Sequence, residues 1–443
     1  MSKEPLSLID QAKVILNNNW TGAFTKPAPH LYPHQWNWDS GFIALGYSHY
    51  DLERACRELR SLFRGQWSNG LLPQIIFQPP AAGGRYFPGA HFWQTTEQPD
   101  APKDPITSGI TMPPVHGFVL WHLWRNSGED KALLPFLREL YPKVKALHEY
   151  LYTFRDPQGE GLVYIRHPWE PGTDNSPTWD RALQRIAIDK FKLPAYERQD
   201  LQHKKAAAQR PDDDDYDRYI YLVDLFRRYQ YDEEKLDALC PFKIQDPLFN
   251  GILCYSNECM AELSGLLNED PGDWLNWQSA TRSALNTKLW NRVRACYDSY
   301  DLVTEQVIPT HTANAYVPLL GGVPDPQQAQ RMLASLLGPY VNGQAERYWL
   351  CPSYAMDQPD VDFQKYWRGP VWVNINWMLW RGMLRYGFEE EAERIRADTL
   401  QLIDQYGFHE YFDPRKDVAE NGYGTNAFSW TAALCIDFLQ VGI

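Results

Sequence analysis

Apolar residues recur along most of the chain at the spacing of an α-helix. Within residues 140–151 they are spaced by four, three and four positions, and within 329–336 they form a second stripe behind the start signal Asp325–Pro326. Alternating strand patterns are few and short, as at 161–166 and 294–303. The pattern predicts a mostly α-helical chain whose paired helices form a ring. Further amphipathic helices are predicted near residues 5–17, 51–65, 114–127, 216–230, 248–268, 272–289, 371–386, 389–405 and 425–440.

Two segments interrupt the helical pattern. Residues 66–113 are rich in Gly and Pro and are predicted to form one long structured loop, a kind of segment that commonly carries function. Residues 190–245 are charged and contain the acidic run "RPDDDDYDRY" at 210–219. We expect this second segment to be a helical cap inserted into a single domain of residues 1–443. A solvated surface excursion is the alternative for it.

The charge balance narrows the classes of partner. The chain has 43 Lys and Arg against 56 Asp and Glu, a net charge of −13 with dispersed acids, which argues against nucleic acid or an anionic membrane surface. No apolar run approaches the roughly 18 residues of a membrane span, and residues 1–20 lack the apolar core of a signal peptide. The seven cysteines lack paired-metal spacing, so buried thiols in a reducing cytoplasm are expected.

Motifs of several enzyme classes do not occur in the sequence. The chain lacks GxSxG, Walker, GxGxxG, HExxH and EF-hand patterns, and its eleven histidines are dispersed. A nucleophilic triad therefore has little support, and neither a cofactor nor a metal is expected.

Aromatic residues are numerous, at 18 Trp, 26 Tyr and 19 Phe. They cluster beside acids and amides at residues 32–39, 169–179 and 365–372, which core packing alone does not require. A sugar ring has apolar C–H faces and a polar rim. Flat aromatic rings edged by carboxylates and amides therefore suit a carbohydrate ligand.

Three carboxyl groups in aromatic surroundings each have an ordinary structural alternative. Asp39 could cap a helix, Asp174 could form an Asx-turn, and Glu410 could be a surface acid at a helix end. Together they suit glycoside hydrolysis, which needs one protonated carboxyl at the leaving oxygen and one ionised carboxyl that attacks or activates water. Asp174 lies between Trp169 and Trp179 and fits the proton donor, because packing against Trp disfavours the charged form. Composition does not select the base.

Four motifs, in order over nearly the whole chain, carry a resemblance to a known family. They are "YPHQWNWDSGF" (32–42), "WEPGTDNSPTW" (169–179), "KYWRGPVW" (365–372) and "EYFDPRKDVAENGYGTNAFSWTAA" (410–433). These motifs resemble bacterial members of glycoside hydrolase family 63, in particular its mannosylglycerate and glucosylglycerate hydrolases. The resemblance implies an all-α (α/α)6 barrel with a helical cap, and inversion of configuration at an α-linked glucose or mannose.

The resemblance also implies roles for individual residues. By motif, the general acid falls on Asp174 and the general base on Glu410, with the two carboxyl groups roughly 6.5–9.5 Å apart. Glu170 remains a structural acid without a step in the reaction. The implied sugar subsite consists of Tyr32, Trp36, Gln35 or Asn37, Trp38, Asp39, Gly172, Tyr366 and Trp367.

The implied aglycone subsite departs from the family pattern at one position. Arg218 in "YDRY" and Tyr86 in "RYFPG" match residues that hold a glycerate carboxylate, and a guanidinium suits that role because it pairs bidentately. An ion pair of Arg218 with Asp215 or Asp217 is the structural alternative. Met112 stands where similar glucosylglycerate hydrolases have a glutamine.

The sequence thus predicts a cytoplasmic, inverting α-glycosidase that releases glycerate and free hexose from mannosylglycerate or glucosylglycerate. Its predicted partner is a small glycoside with an anionic aglycone, and no cofactor or metal takes part. A family 63 enzyme for disaccharides with uncharged acceptors is the alternative on the same fold. A sugar epimerase or a non-catalytic sugar-binding protein is the alternative from another class, and association into a homo-oligomer stays open.

Overall fold

The computed structural model describes residues 6–29, 31–79, 86–198 and 211–442. Its α-helices are α1 (Leu8–Asn19), α2 (Asn37–Ser48), α3 (Leu52–Phe63), α4 (Ala90–Trp93), α5 (His116–Asn126), α6 (Leu134–Phe154), α7 (Asp180–Gln184), α8 (Asp213–Arg228), α9 (Glu233–Leu239), α10 (Pro247–Leu267), α11 (Gly272–Ala284), α12 (Pro326–Leu337), α13 (Val373–Arg385), α14 (Glu389–Tyr406) and α15 (Ser429–Gln440). Short 3-10 segments are Thr95–Glu97, Lys131–Leu133, Pro177–Trp179, Lys190–Lys192, Ala313–Leu319, Pro339–Val341 and Ala345–Arg347. Leu285–Leu289 is a short π-helix.

The described strands are short and form antiparallel pairs. They are β1 (Gln35–Trp36), β2 (Ile75–Ile76), β3 (Tyr164–Ile165), β4 (Ile244–Gln245), β5 (Trp290–Asn291), β6 (Cys296–Tyr297), β7 (Ser299–Asp301) and β8 (Gln306–Ile308). β1 pairs with β2, β5 pairs with β6, and the other four form one sheet in the order β3-β4-β7-β8. The β1–β2 pair sets Trp36 opposite Ile75 directly before α2 begins.

The helices form two concentric rings. The inner ring consists, in chain order, of α2, α5, α10, the 3-10 segment Ala313–Leu319, α13 and α15, and α15 closes the ring against α2. Each inner element packs on one outer helix, in the same order α3, α6, α11, α12, α14 and α1. This arrangement is the predicted (α/α)6 barrel.

Burial explains which elements are inner and which are outer. Every residue of α2 and of Ala313–Leu319 is buried, and α15 is buried from Ser429 to Phe438. A helix without a polar face belongs in a core. Helix α3 instead buries Ala55, Leu59 and Leu62 on one face and exposes Arg57 on another, as an amphipathic outer helix does.

Acidic caps set the start of several of these helices. Asp51, Asp246 and Asp325 accept hydrogen bonds from backbone N–H groups at the starts of α3, α10 and α12. Asp325 also forms a capping box with Gln328, so the start signal found in the sequence marks the first turn of α12.

Periodicity located the outer helices better than the inner ones. The predicted helices at 51–65 and 389–405 correspond to α3 and α14, and the strand patterns at 161–166 and 294–303 contain β3, β6 and β7. Helix α2 and Ala313–Leu319 do not follow from the pattern, because residues buried on every side show no apolar stripe. In the predicted helix at 272–289, the α-helix ends at Ala284 and is followed by the short π-helix Leu285–Leu289.

The two segments that interrupt the helical pattern pack against each other. Residues 66–113 contain β2 and α4, while the described part of 190–245 contains α8, α9 and β4. Residues 199–210 of the predicted cap lie outside the described residues. Phe87 stacks on Tyr196 with ring centroids 5.2 Å apart, and the Tyr231 hydroxyl donates to the Trp93 carbonyl at 2.6 Å.

None of the helices in the described ranges is long and apolar enough to cross a bilayer. All seven cysteines are unbonded thiols in the interior.

Candidate active site

A cavity of about 1370 Å³ lies at the end of the barrel where α2, α13 and α15 begin. Residues of both interrupting segments, 66–113 and 190–245, contribute to its wall. The cavity brings together most of the site residues that the sequence predicts. Those that line it are Tyr32, Trp36, Trp38, Asp39, Tyr86, Met112, Gly172, Asp174, Tyr366, Trp367 and Glu410.

The inner helices that start at the cavity have aromatic residues at their N-caps. Trp36 precedes α2, Trp372 precedes α13 and Phe428 precedes α15, and all three residues line the cavity. An indole or phenyl ring cannot accept the capping hydrogen bond that an Asp or Ser would. The first turns of these three helices therefore begin at the cavity wall without a side-chain cap from the described residues.

The Glu410 carboxylate is held by hydrogen bonds to both of its oxygens. Oε1 accepts from the hydroxyls of Tyr32 at 2.8 Å and Tyr366 at 3.1 Å. Oε2 accepts from the backbone N–H of Thr425 at 3.3 Å. The side chain is buried, so these donors fix its orientation toward the cavity.

Local backbone geometry makes room for this carboxylate. Gly424 has φ +69°, and a Cβ atom there would lie 2.3 Å from Glu410 Oε2. Tyr366 has φ +44°, a left-handed conformation that is uncommon for an aromatic residue. The Trp372 indole N–H donates to the Tyr366 carbonyl at 3.1 Å and so holds the turn that presents the tyrosine hydroxyl.

Asp174 lies on a loop that is fixed by three hydrogen bonds. The Trp179 indole N–H donates to the Thr173 carbonyl at 2.8 Å, and the Tyr219 hydroxyl donates to the Asp174 carbonyl at 2.9 Å. The Trp367 N–H donates to Asn175 Oδ1 at 2.8 Å, which joins this loop to the segment that carries Tyr366. Asp174 itself is half-buried and lines the cavity.

Gly172 is required for two separate reasons. Its φ of +74° lies in the left-handed region, and a Cβ atom would lie 2.3 Å from the Trp38 ring. Trp38 in turn packs edge-on against Trp430, with ring centroids 5.5 Å apart. The loop before Asp174 thus lies directly on an indole of the cavity wall.

Asp39 does not cap α2, which was its structural alternative. It lies in the first turn of α2, three residues after the N-cap Trp36, and lines the cavity. Burial raises the pKa of Asp39 well above its ordinary value, and the negative charges of Glu410, Glu58 and Asp174 raise it further. Asp39 is therefore close enough to both proposed catalytic acids for their charges to raise its pKa.

Glu58 is a buried acid that the sequence reasoning missed. It accepts from Ser40 Oγ at 2.6 Å, from the Thr25 N–H at 2.7 Å and from Gln35 Nε2 at 3.2 Å. Burial raises its pKa to about 7, against the lowering effect of these hydrogen bonds. A signal was present in the sequence, since Glu58 occupies a position of the apolar stripe on α3 beside Leu59.

Gln35 and Asn37 lie behind the cavity wall rather than in its lining. Besides Glu58, Gln35 bonds Ser40 and Ser61, and Asn37 Nδ2 donates to the Pro73 carbonyl at 3.0 Å. Both amides support the turn that leads into α2. The family resemblance implied that one of the two contacts the sugar. In the structure, both amides lie behind the residues that line the cavity.

The predicted aglycone residues differ in where they lie. Tyr86 and Met112 line the cavity, whereas Arg218 does not. Arg218 donates from Nη1 to the Asp214 carbonyl at 2.7 Å, one turn earlier in α8. Within the described part of α8, the ion-pair alternative is not seen: Arg218 forms no ion pair with Asp215 or Asp217, and Asp217 is bound by Lys190 at 2.9 Å.

The charges around the cavity are mostly negative. Among its described lining residues, Asp39, Asp174, Glu197 and Glu410 are acids, and Lys26 is the fixed cation. Lys26 lies outside the motifs that the sequence analysis used, and the cavity histidine His34 lies within the motif at 32–42 but was given no role there.

Glu170 is a structural acid, as the sequence interpretation held. Both of its oxygens pair with the Arg155 guanidinium at 2.9 Å, and Oε2 also accepts from the Arg166 N–H at 2.6 Å. Burial alone would raise the pKa of Glu170, but the charge and hydrogen bonds of Arg155 lower it below the ordinary value. The pair anchors the strand-to-loop turn that precedes Asp174.

Comparison with known proteins gives matches over nearly the whole chain. Residues 32–431 match the family model described as the mannosylglycerate hydrolase MGH1-like glycoside hydrolase domain. A mannosylglycerate hydrolase of Rubrobacter radiotolerans is 46% identical over 437 residues, which cover 98% of this chain and 97% of that protein. A glucosylglycerate hydrolase of Mycolicibacterium hassiacum is 34% identical over 446 residues, with 98% of each chain covered.

A solved structure matches the fold equally well. The crystal structure of the family 63 mannosylglycerate hydrolase from Thermus thermophilus, in complex with Tris and D-glycerate, has a TM-score of 0.90 at 40% identity. The match covers 98% of this chain and 100% of that chain.

Proposed function

Because the chain belongs to the MGH1-like glycoside hydrolases, we propose that it cleaves the α-glycosidic bond of mannosylglycerate or glucosylglycerate with inversion of configuration. The observation that carries this proposal is the carboxylate of Glu410, fixed by three donors in the same cavity as Asp174. Two carboxyl groups in one aromatic-walled cavity are what glycoside hydrolysis requires.

In the proposed reaction, Asp174 and Glu410 act on opposite sides of the scissile bond. Asp174 gives its proton to the glycosidic oxygen as the bond to the anomeric carbon breaks. Glu410 takes a proton from the water whose oxygen forms the new bond to that carbon. Free hexose leaves as the β-anomer and glycerate leaves with the former glycosidic oxygen, so that one water is consumed for each bond cleaved.

The sugar is proposed to lie against the indoles of Trp38 and Trp367, with Asp39 at its hydroxyls. Indole faces pack on the apolar C–H faces of a pyranose, while a carboxyl group binds the hydroxyl rim. The contact of the Gly172 loop with Trp38 supports this placement, because it sets the indole directly beside the loop that carries Asp174.

The aglycone is proposed to lie toward Tyr86 and Met112, with Arg218 as the carboxylate ligand. Arg218 would have to leave the Asp214 carbonyl and turn toward the cavity to reach it. We further propose that residues 1–443 act as one catalytic domain in the cytoplasm, in which residues 66–113 and the cap 190–245 close over the bound glycoside.

One observation favours a second candidate function on the same chemistry. Met112 is an apolar side chain in the cavity wall, and Arg218 lies outside the lining. A family member that accepts α-glucosides with uncharged acceptors would need neither an amide nor a cation at these positions.

The deciding experiment is a hydrolysis assay of the purified protein with mannosylglycerate, glucosylglycerate and kojibiose, followed by proton NMR of the first anomer released. We expect β-anomer from the glycerate glycosides and little turnover of kojibiose. Preferential cleavage of kojibiose would favour the second candidate, and initial α-anomer would refute inversion.

Matched variants separate catalysis from binding. Asp174→Asn and Glu410→Gln should each abolish turnover while substrate binding by calorimetry is retained. Glu197→Gln changes another acid of the same cavity without an assigned step and should keep near-normal turnover. Unchanged turnover in the first two variants would instead indicate a different reaction, whereas sugar binding without turnover in the unchanged protein would indicate a sugar-binding protein.

A further inference from the structure

His34 is a cavity residue whose ring is fixed by its neighbours. The imidazole lies nearly parallel to the Trp36 indole at 6.0 Å and meets Phe77 and Tyr86 edge-on at 5.1 and 5.0 Å between ring centroids. The residue is 7% exposed and lines the cavity. Rings packed on three sides hold the imidazole in one orientation.

The backbone determines which nitrogen of His34 carries the proton. The Gln78 N–H donates to Nδ1 at 3.1 Å, so Nδ1 must keep its lone pair and the neutral ring carries hydrogen on Nε2. Burial lowers the pKa of His34 to about 4, so the ring stays neutral at ordinary pH. Nε2–H is therefore a permanent, uncharged donor.

This donor has no acceptor within the described residues. Nδ1 makes the one hydrogen bond of the His34 side chain there, to Gln78. Because Nε2 is open to the cavity and is not fully enclosed, a ligand oxygen at the cavity wall can replace solvent as its acceptor.

The position of His34 indicates which part of a substrate it would meet. Tyr32, which donates to Glu410, packs edge-on against one side of Trp36 at 5.1 Å. His34 and Tyr86 both contact the same indole, and they also contact each other. His34 therefore lies beside Tyr86, at the proposed aglycone end of the cavity.

We propose that His34 determines specificity for an oxygen-rich aglycone, through donation from Nε2–H to a carboxylate or hydroxyl oxygen of the glycerate. This inference rests on the proposed function, because it assigns the aglycone to the Tyr86 side of the cavity. A neutral donor recognises the anion without itself pairing with the acids Asp39, Asp174 and Glu410.

Two substitutions isolate the Nε2 position. His34→Asn keeps an acceptor near the place of Nδ1 for the Gln78 N–H but has no group near Nε2, whereas His34→Gln returns an amide donor there. For His34→Asn we expect KM for the glycerate glycoside and the inhibition constant of D-glycerate to rise about tenfold or more, with kcat within about twofold. His34→Gln should recover much of both losses.

His91→Gln is the matched control, because His91 is an exposed histidine of the same cavity. Its kinetic constants should stay close to those of the unchanged protein, and circular dichroism with thermal melting should show each variant to be folded.

The outcomes distinguish this inference from the proposed function. If the unchanged protein cleaves glycerate glycosides but both His34 variants keep its KM and D-glycerate inhibition, the role of His34 is refuted and the function stands. If His34→Gln is no better than His34→Asn, a packing role replaces donation. If the unchanged protein cleaves no glycerate glycoside, the function and the inference fall together.

Discussion

Glu410 receives two phenolic hydrogen bonds on one oxygen, and this asymmetry bears on its proposed role as the base. Tyr32 and Tyr366 both donate to Oε1, while Oε2 takes the longer bond from the Thr425 N–H. Donors lower the basicity of the oxygen that they bind. In the proposed reaction, Oε2 is therefore the oxygen that we expect to accept a proton from water, and the absence of a Cβ at Gly424 leaves space beside it.

At the residue scale, a substitution of Gly172 tests how closely the loop that carries Asp174 must approach the Trp38 indole. We expect Gly172→Ala to destabilise the protein and to lower kcat, because the new methyl group clashes with Trp38 and displaces the loop of Asp174. The expected loss is about 1–3 kcal/mol in the free energy of unfolding, measured by denaturant titration.

Gly159→Ala is the control for this substitution. Gly159 has a similar φ of +66° but no atom within 4 Å of the added Cβ. Gly159→Ala should lose only the stability that the left-handed backbone costs an alanine, and it should keep full kcat. Equal losses of unfolding free energy and kcat in the two variants would exclude the clash with Trp38 as the cause.

At the scale of elements, Glu58 joins three parts of the barrel. It is carried by α3 and binds Ser40 of α2 and the Thr25 N–H of the preceding segment. Its pKa rises from 4.5 to about 7 on folding. The folded state thus keeps a proton that the unfolded state releases, so this contribution is present below pH 4.5 and is lost as pH rises to about 7.

Glu58→Gln should remove that part of the pH dependence. Between pH 4.5 and 7, the free energy of unfolding of the unchanged protein should fall by about 3 kcal/mol more than that of the variant, at 1.36 kcal/mol per pH unit. Denaturant titrations at several pH values measure the difference. Parallel curves for the two proteins would show that Glu58 is ionised in the folded state throughout.

The elements also show how far sequence reasoning reaches. Amphipathic outer helices such as α3 and α14 follow from periodicity because one face meets water. Helix α2 has no such face, although it carries Trp38 and Asp39 into the cavity. Its helical state depends on packing against α3, α5 and α15, which no local pattern contains.

The candidate site divides in the same way. Asp174 and Glu410 were assigned by motif, and both line the cavity. Gln35 and Arg218 belong to the same motifs or segments, but a tertiary contact directs Gln35 to Glu58, and a bond within α8 directs Arg218 to the Asp214 carbonyl. A motif fixes which residues are near the site, while packing decides which side chains reach it.

At the scale of the whole molecule, Asp437 ties the inner ring together where α15 closes it. The carboxylate accepts from the Trp377 indole at 2.7 Å and contacts His49 at 2.7 Å and Arg381 at 3.3 Å. Burial would raise its pKa, but the charge of Arg381 and the bonds from His49 and Trp377 hold it below the ordinary value. One carboxylate thus joins α2, α13 and α15.

Asp437→Asn should therefore weaken the barrel and leave the chemistry intact. Loss of the charge leaves the half-buried Arg381 guanidinium without its partner, at about 1.5–3 kcal/mol in the free energy of unfolding. Asp437 lies eight residues after Ser429, which is about 12 Å along α15 from the cavity. The kcat of the folded fraction should therefore not change. Thermal melting and kinetics at low temperature measure the two effects.

Asp404→Asn removes an exposed acid on α14 and serves as the control. Its melting temperature should match that of the unchanged protein. A loss as large as that of Asp437→Asn would mean that net charge, not the buried contacts, sets the stability.

The aromatic N-caps at the cavity wall have an electrostatic consequence for the whole barrel. The peptide dipoles of α2, α13 and α15 all point their positive ends at the cavity, each equivalent to about half an elementary charge. Trp36, Trp372 and Phe428 bring no negative side chain to cancel that field. The backbone itself therefore supplies a positive potential that no titration removes, at a cavity lined by four acids in a protein whose net charge is −13.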